Sequence, residues 1–394
     1  MVTSSNFNVA PKRYHAHIVG WGMCAPETIL SNKDLEAILE TSDEWIQART
    51  GIKERRIVGE KESTSTLAIR AAQRALEVTD ILPADIDLII VATSTPENIF
   101  PSTASIVQHK LGANAAGAFD LSAACSGFVY GMDMATQAIR SGSINTAIVI
   151  GAETMTRVMN WRDRSTCILF GDGAGAVVLQ RQDRVGGVLS TVMRSDGSGA
   201  DLLAIPTLGN LEIRDQGGLG EHELHKMYMS GSEVFKFAAR IIKPSIMEAL
   251  NKAHVKLEDV KLIIPHQANE RIIQAAARSL DVERERFITN LDRYGNTSAA
   301  SIPIALNEAL EKRLINQGDH IVFIGFGGGL SWGTVVMRWS IPQPGARPIN
   351  RYYQQRRRAS YAIVRLRTWW RKLRRAVSEL IAPTDYDEDD FTNG

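Results

Sequence analysis

Three segments of this chain recur at one constant offset, and that recurrence restricts its fold more than any other feature. Ala75-Leu76, Asp85 and Leu88-Ile89-Ile90 read as a helix end, a turn and a buried strand. Adding 174 to each number gives Ala249-Leu250, Asp259 and Leu262-Ile263-Ile264. The same offset of 174 carries Ala147-Ile148-Val149-Ile150-Gly151 onto Ile321-Val322-Phe323-Ile324-Gly325, and Cys125-Ser126 onto Ala299-Ala300. Helical patterns alternate with short β-branched runs along the chain, as in layered α/β structure. The spacing predicts a duplicated α/β unit, with halves at roughly residues 14–185 and 186–342 related by a pseudo-two-fold axis. Residues 343–394 then form a separate C-terminal extension.

Such a duplication brings equivalent helix starts and strand ends together at the middle. Cys125 stands among small residues in Ala123-Ala124-Cys125-Ser126-Gly127, before a helical pattern through Val129, Met132, Ala135 and Ile139. Unpaired N–H groups and the dipole at a helix start favour a thiolate there, which is a good nucleophile towards a thioester. The plainer reading is a buried small residue packing helix to sheet, as many free cysteines do. Asn296-Thr297-Ser298 sits at the matching helix start of the second half, and His266 follows the strand Leu262-Ile263-Ile264. Strand carboxyl ends are where α/β sheets place their sites. Cys125, His266 and Asn296 are therefore expected to converge.

A Cys/His pair first suggests a thiol protease, which has no need of a duplicated, symmetric fold. Carbon–carbon bond formation from thioesters uses all three groups. Cys125 takes an acyl group, and a malonyl thioester loses CO₂ to leave an enolate whose oxygen needs hydrogen-bond donors. His266 Nε2 and the Asn296 amide are donors of that kind. The run Gly325-Phe326-Gly327-Gly328-Gly329 lets a backbone approach closely, as a second oxyanion hole would require.

Four motifs in order carry a resemblance to a known family: Ala-Ala-Cys125-Ser-Gly-Phe, Pro-His266-Gln-Ala-Asn, Tyr-Gly-Asn296-Thr-Ser-Ala-Ala-Ser and the Gly-Phe-Gly-Gly-Gly run. From about Tyr14 to Trp339 the chain resembles β-ketoacyl-acyl-carrier-protein synthase III. The resemblance implies the thiolase fold, a duplicated five-layered αβαβα architecture with pseudo-two-fold symmetry. It also implies a homodimer that loads Cys125 from an acyl-CoA, acetyl-CoA by default. Malonyl-acyl carrier protein is then decarboxylated and condensed, with no cofactor beyond the two substrates. An oxyanion hole would fall on the N–H groups of Cys125 and Gly328. The same resemblance places Trp45 on the CoA adenine with Arg164 on its other face, Arg49 on a phosphate and Asn269 near pantetheine. Phe100 would reach across the dimer to the partner's acyl pocket, and Lys236, Arg271 and Arg278 would dock the acidic carrier protein. Ser232 departs from the family, which more often has Asn there. Medium or branched acyl-CoAs, or a specialised pathway, are the near alternatives. A silent scaffold subunit has no chemical need for the three groups, and a non-decarboxylating thiolase would want a second cysteine where the glycines stand.

Composition narrows the setting. Hydrophobic residues make up 44% and charged residues 23% of 394, as in a globular chain with a sizeable core. Cys24, Cys125 and Cys167 are too few for a disulfide framework, and no stretch approaches a membrane span, so a soluble cytoplasmic protein is expected. The polar opening Val2-Thr3-Ser4-Ser5-Asn6 lacks the apolar run of a signal peptide. Gly171-Asp172-Gly173-Ala174-Gly175 leads into a strand, so its glycines are read as close packing sites rather than a dinucleotide loop. His222-Glu223-Leu224-His225 lacks zinc-helix spacing, and no metal is expected.

The net charge of +1 hides an asymmetry. Residues 345–394 hold 11 Lys/Arg against 6 Asp/Glu, leaving 34 against 38 in the rest. After a linker marked by Pro342, Pro344, Gly345 and Pro348, an apolar stripe runs through Ile363, Leu366, Trp369/Trp370, Leu373, Ala376/Val377 and Leu380. Arginines and lysines occupy the intervening faces, and an acidic run at 385–390 ends the tail. Such a helix could lie on an anionic membrane surface, dock a protein, touch nucleic acid or fold back on the body. Nucleic acid is not expected as a partner.

Overall fold

The computed structural model describes residues 14–207, 223–342 and 350–381, the side chains of 379–381 excepted. Two sheets carry the fold. The first contains β1 (His15–Cys24), β2 (Leu88–Ala92), β3 (Gly117–Leu121), β4 (Thr146–Thr154) and β5 (Asp172–Gln182), in the order β1-β5-β4-β2-β3. The second contains β6 (Gly187–Ser195), β7 (Val260–Pro265), β8 (His320–Gly327) and β9 (Ser331–Arg338), in the order β6-β9-β8-β7. In both sheets the parallel pair, β2/β4 or β7/β8, is followed by two antiparallel pairings. Where the first sheet adds β3 beside β2, the second has, among the described residues, an isolated bridge from Ile263 to Phe287.

Seven helices complete the layers and the site: α1 (Asp43–Thr50), α2 (Thr64–Glu77), α3 (Thr103–Leu111), α4 (Gly127–Arg140), α5 (Gly231–Ala253), α6 (Glu270–Leu280) and α7 (Ser301–Glu311). Helix α2 starts where Ser63 caps the Thr66 N–H, and it buries its alanine-rich face on β1, β4 and β5. Helix α3 packs on β3 beside it. Helices α4 and α7 lie between the sheets and touch strands of both. Helix α7 is buried from Ser301 to Leu310, which an amphipathic outer helix could not be. Helices α5 and α6 cover the outer face of the second sheet. The five layers are thus α, β, α, β, α. Phe128 of α4 meets Phe323 of β8 at 6.3 Å between ring centroids in the shared core. Burying each such ring contributes about 1.5–3 kcal/mol.

The offset of 174 recurs in three dimensions. The 3₁₀ turns Ala124–Ser126 and Ser298–Ala300 precede α4 and α7 at that spacing, as the turns Pro83–Asp85 and Leu257–Asp259 precede β2 and β7. Glycines make the close contact of the halves possible. A Cβ on Gly151 would sit 2.1 Å from the Ala299 carbonyl oxygen, and one on its equivalent Gly325 would sit 3.1 Å from Ser126 Cα. The Gly173 and Gly175 positions are likewise pressed by Ile304 and Pro303 of α7, so these glycines serve packing. Cys24 and Cys167 are buried.

The tail forms α8 (Arg351–Ile381), which packs back along α3. The body-facing side is not the apolar stripe. It consists of Arg357, Tyr361, Val364 and Thr368, one helical face at spacings of four, three and four residues. Arg357 is buried and donates to the Thr79 and Ile81 carbonyls at 2.8 and 3.1 Å, just past the C-terminal end of α2. Among the described residues no helix is long and apolar enough to cross a membrane. The linker prolines after Pro342, His222 and the acidic run at 385–390 lie outside the described residues.

Candidate active site

Cys125 is presented by a strained turn. Strand β3 ends at Leu121, Ala124 adopts φ +45°, and the Ala124–Ser126 turn feeds α4. From the other half, Gly327 comes so close that an added Cβ would lie 2.8 Å from the Cys125 nitrogen. Gly328, the next residue, faces Leu203 and Ala124, and among the described residues no acceptor takes its N–H. Cys125 is 6% exposed.

His266 and Asn296 reach the same cavity. The His266 N–H donates to the Ile324 carbonyl at 2.8 Å, which fixes the residue one step past the end of β7. Its Nδ1 lies 2.7 Å from Ser301 Oγ at the start of α7. With Nδ1 accepting from that hydroxyl, the ring proton sits on Nε2. Asn296 is held from two sides: its N–H donates to the Leu169 carbonyl and its side-chain oxygen accepts from the Ser298 N–H at 2.8 Å. The Asn296 NH₂ group is the end left to donate. The cavity, about 80 Å³, is lined by Cys125, His266, Asn296 and Asn269 with a largely apolar wall that includes Leu203, Phe237 and Phe326.

Burial dominates the electrostatics. It drives the His266 imidazolium down to about 3, so the ring is neutral at pH 7 with a proton on Nε2 free to be donated. Burial pushes the Cys125 thiol up to about 12; a hydrogen bond to Ser298 opposes this and nearby Glu153 adds to it. The sequence-based expectation of a thiolate favoured by the helix start is therefore corrected: removal from water outweighs the terminal N–H groups. The sulfur needs a proton acceptor as it reacts.

Such an acceptor lies one hydroxyl away. Cys125 Sγ is 3.4 Å from Ser298 Oγ, which donates to Glu153 Oε1 at 2.9 Å. Glu153 is fully buried at the end of β4, and burial raises its carboxyl to about 7 against donors from Thr95, Ser94 and Ser298. Sequence reasoning passed over Glu153. Its signal was a lone carboxylate closing the apolar run Ala147-Ile148-Val149-Ile150-Gly151-Ala152.

The remaining expected residues fall into three places. Trp45, on α1, has the Arg49 guanidinium 4.8 Å and the Arg164 guanidinium 5.2 Å from its ring centre. Asn269 lines the cavity and caps α6, donating to the Arg49 carbonyl at 3.0 Å. Lys236 and Arg271 stand near the starts of α5 and α6, whose Gly231, Phe235 and Asn269 line the cavity; Lys236 is paired with Glu233 at 2.8 Å. Arg278 lies two turns further along α6. Ser232 is exposed on the first turn of α5. Phe100 stays outside the cavity, 85% exposed beside Ile99 at 89%. Among the described residues no His, Cys, Asp and Glu cluster could hold a metal.

Comparison with known proteins agrees with this geometry. Residues 119–197 match the family described as 3-oxoacyl-[acyl-carrier-protein (ACP)] synthase III, and residues 250–339 match its C-terminal counterpart. The chain is 50% identical over 326 residues to the β-ketoacyl-[acyl-carrier-protein] synthase III of Roseiflexus sp. (strain RS-1), covering 83% of this chain and 99% of the relative. The crystal structure of 3-oxoacyl-[acyl-carrier-protein] synthase III from Aquifex aeolicus VF5 is 47% identical, with a TM-score of 0.76 over 82% of this chain and all of the other. The priming β-ketosynthase of the R1128 polyketide biosynthetic pathway is 35% identical, with a TM-score of 0.78 over 84% and 98%. The Roseiflexus alignment uses 326 of 394 residues, so 68 residues of this chain have no counterpart there.

Proposed function

From the premise that this chain belongs to the β-ketoacyl-acyl-carrier-protein synthase III family and has its thiolase fold, we propose that Cys125, His266 and Asn296 form its condensing centre. The enzyme is an acyltransferase that starts type II fatty-acid synthesis by Claisen condensation of an acyl-CoA with malonyl-acyl carrier protein. The observation that carries the residue assignment is the convergence of Cys125, His266 and Asn296 on one largely apolar cavity.

In the first half-reaction the Cys125 sulfur attacks the acyl-CoA carbonyl as its proton passes through Ser298 Oγ to the Glu153 carboxylate. The tetrahedral oxyanion is held by the Cys125 and Gly328 N–H groups, and CoA departs as the acyl-cysteine forms. In the second, the malonyl thioester enters and its carboxylate leaves as CO₂. The electron pair passes to the thioester oxygen, which accepts hydrogen bonds from His266 Nε2 and the Asn296 amide. The enolate carbon then attacks the acyl-cysteine carbonyl, the carbon–sulfur bond breaks, and the departing sulfur takes its proton back from Glu153 through Ser298, regenerating the thiol. Neutrality of His266 matters here, because an imidazolium would risk protonating the enolate carbon. An apolar wall favours loss of the charged carboxylate and keeps water from the acyl-cysteine.

The same reading assigns Trp45, Arg164, Arg49 and Asn269 to CoA, and Lys236, Arg271 and Arg278 to the acidic carrier protein. A homodimer would place Phe100 at its partner's acyl pocket; the exposed Ile99 and Phe100, with β3 at the edge of its sheet among the described residues, support that. Acetyl-CoA is the default first substrate, the cytoplasm is the proposed location, and no cofactor is required. The 345–394 tail is proposed to make a contact of its own, with a membrane surface or a protein. Intact-protein mass measurement after incubation with a panel of acyl-CoAs tests the chemistry. The expected result is a thioester adduct on Cys125, absent in Cys125→Ala, with acetyl among the best donors over medium and branched chains. An unlabelled Cys125 across the panel would overturn the proposal.

A further inference from the structure

Helix α8 has two faces with different fates. Arg357, Tyr361, Val364 and Thr368 hold one face on the body. Leu366 lies about 200° around the helix from Val364, on the far side. That far side carries Ile363, Leu366, Trp369, Trp370, Leu373 and Val377, with Trp369 and Trp370 at 56% and 59% exposure. These six residues share a sector of about 120°, and all are exposed among the described residues. Arg367 and Arg374 border the sector beyond Trp370, and Arg365 and Lys372 border it beyond Trp369; all four are exposed. From Arg351 to Ser378 the sequence has no Asp or Glu.

We propose that α8 lies in the headgroup region of an anionic lipid bilayer, with the Trp369/Trp370 face down and the enzyme body carried above it. This deepens the tail-contact reading given above by naming the partner, and it is independent of the catalytic assignment. The chemistry selects the occupant. A second copy of this chain would set one arginine-rich border against another. A nucleic acid would use the cations and leave the apolar face wet. A bilayer surface accepts the indoles and aliphatic side chains at the acyl boundary and pairs the flanking arginines with lipid phosphates. The helix is not apolar enough to cross, so it lies in the plane. Docking through Arg357 on the opposite face fixes which side of the helix is presented.

Co-flotation of the full chain with vesicles tests this, using phosphatidylglycerol/phosphatidylcholine or phosphatidylcholine alone. The expected result is flotation with the anionic vesicles only, weakened by salt, and reduced at least about tenfold in Trp369→Ser/Trp370→Ser. Both indoles are exposed, so the variant should keep its thermal midpoint and its condensing activity. Absence of flotation with anionic vesicles, or equal flotation of the variant, overturns the bilayer. If the wild type instead forms a larger oligomer by light scattering that the double variant lacks, the bilayer is overturned while the tail-contact reading survives.

Discussion

Ser298 Oγ stands 3.4 Å from Cys125 Sγ although the two residues come from opposite halves of the duplication. Ser298 is the equivalent of Ala124, the residue before the cysteine, and both adopt a left-handed backbone, at φ +48° and +45°. The equivalent of Glu153 is Gly327, which is pressed against Cys125. The duplicated framework is thus symmetric in backbone and asymmetric in chemistry: one half supplies the thiol and the carboxylate, the other the hydroxyl between them.

Under the proposed mechanism Ser298 and Glu153 take the thiol proton as sulfur attacks. Ser298→Ala and Glu153→Gln are each expected to slow single-turnover acylation of Cys125 by about 10²-fold, the lower range for a lost general base. A structural role alone would leave the pH profile of acylation unmoved, whereas loss of the carboxylate should remove an inflection near its raised value of about 7.

The resting thiol gives a separate test. With its pKa near 12, the thiolate fraction should climb about tenfold for each pH unit between about 7 and 9. In Glu153→Gln, which has no carboxylate to take the proton, iodoacetamide alkylation of Cys125 should follow that slope without a plateau. A plateau near neutrality would show that the helix start, not burial, sets the thiol.

His266 links stability to pH. Its folded-state pKa is depressed from 6.5 to about 3, so its contribution is fully present above 6.5 and lost as pH falls towards 3. Glu153 runs the other way: raised from 4.5 to about 7, it favours the fold when protonated, and that contribution is lost as pH rises through 7. Going from about pH 7.5 to about pH 5, the urea midpoint of His266→Gln should therefore change more favourably than that of the wild type, because the unfavourable His266 contribution is gone. Parallel changes would mean that His266 is not buried in its neutral form.

The CoA assignment also has a geometric consequence. An adenine between Trp45 and Arg164 needs about 7 Å, two stacking distances, where the guanidinium now sits 5.2 Å from the ring centre. Arg164 must swing outward as CoA binds. Arg164→Ala is expected to raise the KM for acyl-CoA up to about tenfold with little change in kcat, and to leave acyl-pantetheine substrates unaffected. Equal losses with both substrates would place Arg164 elsewhere.

Arg357 is the anchor of the tail. Removing its guanidinium strips the Thr79 and Ile81 carbonyls of their donor, a loss of about 1–3 kcal/mol. Arg357→Ala should free α8 and make its arginines faster trypsin sites, while the body keeps its condensing activity. Unchanged digestion would show that packing by Tyr361 and Val364 suffices.

Much of the site is legible in the amino-acid sequence. The offset of 174 pairs the halves, and the equivalent glycines Gly151 and Gly325 within the strands mark where they touch. Cys125, His266 and Asn296 can be read because each sits at a helix start or strand end that local periodicity reveals. The tail is legible as a helix with one apolar face. Three things are decided only by tertiary structure. Glu153 becomes part of the site because β4 and the Ser298 turn meet across the interface of the halves. The thiol becomes a weak acid because burial, a property of everything packed around it, outweighs the local helix start. The apolar face of α8 is left outward because Arg357, Tyr361 and Val364 find partners on the body, so the polar-looking side docks. Sequence patterning reports what a segment prefers by itself; desolvation and cross-chain hydrogen bonds arise only when distant segments pack together.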